Sequence, residues 1–213
     1  MKFKINKIQT AIILAGVYIA LQMIADIAAA KVIVLGKIVM DAGIIYALTF
    51  TWRDLIHKQL GKKAAQTCII LAGVINAIMV LYFLFVIKLP PQSEWALAGG
   101  QKAFEFIFGL MPRIVIASII SEIISELVDT EVYQRWTCGI GAKKPQWMSV
   151  IVSNSVSIPL DSIIFPTIAF AGLLSFGSLV IMMLSNLLVK AIVTIATLWM
   201  IYLVPEKKIY CER

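Results

Sequence analysis

Apolar runs long enough to cross a bilayer recur along the whole chain, and no other feature narrows its fold as much. A helix needs about 20 residues to span a hydrocarbon core about 30 Å thick. Six stretches fit, at residues 8–30, 40–58, 64–87, 107–134, 146–171 and 174–204. Composition agrees. Of the 213 residues 61% are hydrophobic and 15% are charged, where a soluble domain carries about a quarter charged. Mean hydropathy is +0.92. These features predict an all-α polytopic membrane protein, one domain over residues 1–213 built as a six-transmembrane-helix bundle. The basic start MKFKINKIQT precedes an apolar segment too long for the core of a cleavable signal peptide, so it is read as the first span.

Lysine and arginine set the expected orientation. An even number of spans puts both termini on one side. That side carries Lys2, Lys4, Lys7, Lys58, Lys62, Lys63, Arg135, Lys143, Lys144, Lys207, Lys208 and Arg213, twelve residues, against Lys31, Lys37, Lys88 and Lys102, four, on the other. The positive-inside rule then predicts cytoplasmic termini. It also accounts for the net charge of +7, so the basic balance reflects topology and no nucleic-acid partner is expected. Cys68, Cys138 and Cys211 show no paired spacing and are expected as reduced thiols, with neither disulfide nor metal. His57, the lone histidine, sits in a basic cluster and reads as an interfacial residue. No cofactor is expected.

Five of the six stretches carry polar residues at helical spacing: Tyr18, Gln22 and Asp26; Tyr46, Thr49, Arg53, Asp54 and His57; Arg113, Ser118, Ser121, Glu122, Ser125, Glu126 and Asp129; Ser149, Ser153, Asn154, Ser157 and Asp161; Asn186, Lys190 and Thr194. Residues four apart share a helix face. The third stretch has only Asn76 in its middle and reads as peripheral. A charge at the bilayer centre costs roughly 2.5–3.5 kcal/mol. One such group suits an ion pair, but this many on converging faces imply a polar pocket or pathway.

The segment SIPLDSIIFP, residues 157–166, concentrates the signal. Pro159 and Pro166 each remove a helix hydrogen bond and are expected to loosen the backbone on both sides of Asp161. Interrupted helices at membrane depth build binding sites in many transporters. The stretch reads as a pocket wall with Asp161, Ser157 and Phe165. Ser125-Glu-Leu-Val-Asp129 echoes Ser157-Ile-Pro-Leu-Asp161 at an offset of 32 residues, on consecutive antiparallel spans. Carboxylates, amides, hydroxyls, Arg113 and the aromatics Tyr46, Trp52, Trp147 and Phe165 suit a flat heterocycle. A carboxylate accepts both donors of a guanine-like edge, and rings stack on its faces.

Several segments together carry a family resemblance: Ala29-Ala-Lys-Val32, Thr49-Phe-Thr-Trp-Arg-Asp-Leu-Ile-His57 followed by Gly61, Pro112-Arg-Ile-Val-Ile-Ala-Ser118, Ser125–Asp129, and Ser153 through Phe165. The chain resembles the queuosine precursor transporter family, also called the vitamin uptake transporter family. The resemblance implies a multi-pass importer in the cytoplasmic (inner) membrane of a prokaryote, not an enzyme. Its substrate would be a 7-deazapurine such as 7-cyano-7-deazaguanine. Family functional positions fall on Asp54, Arg113, Ser118, Asp129 and Asp161. Many relatives have Asn where Asp26 stands and Gln where Glu126 stands.

The expected substrate contacts are Asp161, Ser157, Asn154, Glu122, Arg113, Ser118, Asp54, Phe165 and Trp52, in a pocket between the fourth and fifth spans. Glu126 and Asp129 are candidates for a coupling proton. Partners beyond substrate are membrane lipids and a second copy of the chain, through the third or first span. The main alternative is the substrate-binding subunit of an energy-coupling-factor vitamin importer; Ala11 and Ala15 would pack on its partner. An intramembrane enzyme is disfavoured because HExxH, GxSxG and His–Cys pairings are absent. A channel would lack a repeated filter sequence.

Overall fold

The computed structural model describes residues 7–36 and 38–203. Lys2, Lys4, Lys37, Lys207, Lys208 and Arg213, which enter the basic count above, lie outside the described residues, as do both chain ends and Cys211. The chain forms α1 (Lys7–Ala29), β1 (Val32–Leu35), β2 (Ile38–Asp41), a 3-10 turn (Ile44–Tyr46), α2 (Ala47–Leu60), α3 (Lys62–Ile87), α4 (Ser93–Leu97), α5 (Gly100–Gly109), α6 (Met111–Cys138), α7 (Gln146–Phe170) and α8 (Phe176–Thr197). Among the described residues, five segments are long and apolar enough to cross a membrane: Lys7–Ala29, Lys62–Ile87, Gly100–Cys138, Gln146–Phe170 and Phe176–Tyr202.

The stretch expected as a second span, 40–58, is built differently. Its start belongs to an antiparallel hairpin in which Val32 faces Asp41 and Leu35 faces Ile38. VIVL and IVMD are rich in β-branched residues, which favour strands. Gly36 between them has φ +63°, a region glycine enters without a Cβ penalty. The rest of the stretch is α2, only 14 residues, or about 21 Å of rise, shorter than the hydrocarbon core. Thr49, Thr51, Arg53, Asp54, His57 and Lys58 on it are all buried. A helix this polar is tolerated at membrane depth because protein surrounds it. His57 is accordingly no interfacial residue: it is 1% exposed, stacks beside Tyr133 and hydrogen-bonds Gln134 at 2.8 Å.

Elsewhere the apolar periodicity became helix with shifts at the ends. The stretch 88–102, between the third and fourth apolar stretches, contains α4, and α5 starts at Gly100. The backbone bends at Leu110, between α5 and α6. α7 runs helical through both Pro159 and Pro166, so the loosening is confined to the two ladder bonds that proline cannot donate. α3 is less peripheral than expected, because Asn76 donates to Asp26 at 2.6 Å. Cys68 is a free thiol; Cys138 is disulfide-bonded, against the expectation of reduced cysteines.

The hairpin returns against α1 and α8. Gly43 sits where it meets α1. A Cβ there would come within 2.8 Å of Asp41 Oδ1 and 2.9 Å of the Ala25 carbonyl. Gly43→Ala is therefore expected to push the hairpin off α1 and destabilise the fold by about 1–3 kcal/mol. A thermal-shift measurement in detergent checks this; an unchanged melting temperature would contradict the close approach.

Candidate functional site

A cavity of about 470 Å3, mouth included, lies among α1, the hairpin, α2, α6, α7 and α8. Asp26 comes from α1, Met40 and Asp41 from β2, Ile44 and Tyr46 from the 3-10 turn, Ser118 from α6, Asp161 and Phe165 from α7, and Asn186, Val189 and Lys190 from α8. The mix of three carboxyls, one ammonium, an amide and hydroxyls set in aliphatic and aromatic walls is that of a small-molecule pocket.

Each carboxyl has its own holders. Asp161 Oδ1 accepts from Ser121 Oγ at 2.7 Å and from Tyr46 Oη at 3.3 Å, while Oδ2 is ion-paired with Lys190. The Lys190 ammonium also lies 4.9 Å from the centre of the Tyr46 ring, within cation–π range. Asp41 accepts from the Gly43 amide at 2.9 Å and from Asn186 at 3.2 Å.

Below the cavity floor the polar stripes form a ladder. Four residues of helix make one step, about 6 Å. One step under Asp26 and Ser118 lie Gln22 and Glu122, where Gln22 Nε2 donates to Glu122 Oε1 at 2.5 Å. Next come Tyr18 and Glu126. The Tyr18 hydroxyl contacts Glu122 Oε1 at 3.1 Å and makes a short contact with Glu126 Oε2. At the bottom Arg53 pairs with Asp129 at 2.5 Å, Asp54 at 3.3 Å and Glu126 at 3.8 Å. Ser157 Oγ donates to Asp129 at 2.6 Å.

The sequence of the chain matches the family model described as "Putative vitamin uptake transporter" over residues 41–204. The chain belongs to the vitamin uptake transporter family. It is also similar to the "Probable queuosine precursor transporter" of Bacillus subtilis (strain 168), with 26% identity over 157 residues. That match covers 73% of this chain and 66% of the relative, a little under two thirds of its length. No solved structure matches. A multi-pass membrane protein of this family is thus the setting for the cavity and the ladder.

Of the residues expected to contact substrate, the fold of this family member brings Asp161, Ser118 and Phe165 to the cavity. Glu122, Asp54 and Ser157 lie deeper, in the ladder. Asn154 is 3% exposed, and among the described residues neither its amide oxygen nor its nitrogen has a hydrogen-bond partner. Trp52 is elsewhere, its indole donating to the Leu14 carbonyl at 2.9 Å within an apolar cluster. Arg113 is also outside the lining. Its Nε donates to the Ile168 carbonyl at 2.9 Å and an Nη to the Ala171 carbonyl, so it caps the end of α7. Asp26, Asp41, Tyr46, Asn186 and Lys190 line the cavity without standing among the expected contacts. Four of them are on recognised polar stripes. Asp41 is masked by its place at a supposed span edge, although two β-branched runs around Gly36 signal a hairpin.

Two arginine substitutions should rank by the groups they strand. Arg113→Ala frees two carbonyls from charged donors and should cost about 2–4 kcal/mol of stability in detergent, with ligand affinity retained. Arg53→Gln leaves buried carboxylates without their cation and should be the more destabilising, by about 3–5 kcal/mol. Unfolding of both purified variants, followed beside wild type, gives the order.

Proposed function

We propose that this transporter imports a 7-deazapurine precursor of queuosine, such as 7-cyano-7-deazaguanine, and that the substrate sits in the cavity under the hairpin. The observation that carries this reading is the cavity's pairing of carboxylates with rings. A guanine-like edge offers N1–H and an exocyclic amine, and a carboxylate accepts both. Asp26, Asp41 and Asp161 supply three such acceptors, with Tyr46 and Phe165 beside them. The name of the similar Bacillus subtilis protein supports the same substrate class.

In this reading Asp161 is the central carboxylate, held ready by Lys190, Ser121 and Tyr46. The pocket is wider than one between two spans, since α1, the hairpin and α8 contribute. Counted as one crossing with the hairpin, α2 keeps the number of crossings even, and the basic count along the sequence then supports cytoplasmic termini; the bacterial relative supports the cytoplasmic (inner) membrane of a prokaryote.

Direct binding of 7-cyano-7-deazaguanine to purified protein is the test, with Asp161→Asn and Asp26→Asn beside wild type. Wild type should bind saturably. Each variant, offering an amide donor where the ligand needs an acceptor, should bind about tenfold or more weakly. Absence of saturable binding by folded wild type withdraws this substrate. Uptake that requires a separate ATPase would move the protein to the energy-coupling-factor reading.

A further inference from the structure

The ladder beneath the cavity has more acid than its contacts can hold ionised. Seven carboxyl groups are buried in and below the cavity: Asp26, Asp41, Asp54, Glu122, Glu126, Asp129 and Asp161. Arg53 serves Asp54, Asp129 and Glu126, and Lys190 serves Asp161. Glu122 has no ion pair among the described residues. It is 1% exposed, and its Oε2 has no hydrogen-bond partner among those residues.

The Tyr18 hydroxyl narrows the possible protonation states. It contacts Glu122 Oε1 and Glu126 Oε2 and accepts from Gln22 Nε2 at 3.1 Å. A phenol has one proton and can donate it to one carboxylate. With both glutamates ionised, one contact would set two oxygens against each other without a hydrogen. All three contacts become hydrogen bonds only when one of the glutamates carries a proton. The groups facing this pair are known from every side. α1 presents Tyr18, Gln22 and Asp26, the 3-10 turn presents Tyr46, α2 presents Thr49 and Arg53, and α7 presents Asp161. Asp129 follows on α6 itself, and Lys190 of α8 is turned to Asp161.

We infer that Glu122 and Glu126, joined through the Tyr18 hydroxyl, form a proton-binding site that couples uptake to a proton gradient. The coupling rests on the transport reading above; the shared proton does not. The transfer conserves charge. The Glu122 O–H proton passes to the Tyr18 oxygen as the Tyr18 proton passes to Glu126. One proton thereby moves one step down the ladder, leaving Glu122 ionised, Glu126 protonated and the tyrosine neutral. Glu122 lies one turn below Ser118 in the cavity wall, and Glu126 touches the Arg53 cluster. The relay therefore links the substrate cavity to the opposite end of the polar core.

Two measurements test the inference. In proteoliposomes loaded for 7-cyano-7-deazaguanine uptake, an inward proton gradient should drive accumulation by wild type. Tyr18→Phe should retain substrate exchange without a gradient and lose gradient-driven accumulation. Accumulation indifferent to the gradient, or unaltered in Tyr18→Phe, overturns the coupling. The second needs no substrate. Infrared spectra of purified protein taken across a pH titration should contain the carbonyl stretch of a buried protonated carboxyl, altered or lost in Glu122→Gln and in Glu126→Gln. The same band unchanged in both variants overturns the site, whatever the substrate proves to be. Absence of exchange by wild type with the band present and sensitive to both variants would fault the substrate and leave the site standing.

Discussion

A guanidinium buried beside three carboxylates governs the polar core. Arg53 is 1% exposed, on a helix too short to reach across the bilayer, and it ties α2 to α6 through Asp129 and Glu126. Charges removed from water are expensive, and only close partners offset that cost. The rest of the site depends on this arrangement. α2 must be enclosed by other helices, the hairpin must close the space above it, and the remaining carboxyls must find hydroxyls, amides or protons.

The helices α6 and α7 are joined by an exchange. Ser121 on α6 donates to Asp161 on α7, and Ser157 on α7 donates to Asp129 on α6. Each aspartate then takes a cation from a third helix: Asp129 from Arg53 of α2, Asp161 from Lys190 of α8. The echo between residues 125–129 and 157–161 is only half matched by these contacts: Ser157 reaches Asp129, but Asp161 is held by Ser121, and the Ser125 hydroxyl has no hydrogen-bond partner among the described residues.

The polar stripes are legible because a helix repeats its face every three to four residues, and a polar group among apolar ones betrays that face. Asp161 and Ser118 are found in this way, while Phe165 stands out as the ring in the SIPLDSIIFP segment. Partnership is not legible. Nothing local in PRIVIAS shows that Arg113 turns to the end of α7, since the carbonyls it caps lie 55 and 58 residues away. The Trp52 ring suggests a substrate contact, but its N–H is satisfied by α1. The hairpin escapes notice because VIVL falls in the gap between the first two apolar stretches and IVMD straddles the start of the second, although their β-branching and Gly36 indicate strand pairing. With the hairpin goes Asp41.

The shortness of α2 has an electrical consequence. Its 14 residues extend over about two thirds of a 30 Å hydrocarbon layer, with the polar cavity at one end. A membrane voltage drops mainly across the poorly polarisable part of its path. With the cavity open to water, that part would shrink to the layer between the cavity floor and the far face. Moving one charge across the whole voltage involves about 2.3 kcal/mol per 100 mV. Each step of the ladder would then carry more of that work than the same step in a uniform layer, so a small displacement there would sample a larger share of the cell's electrical energy.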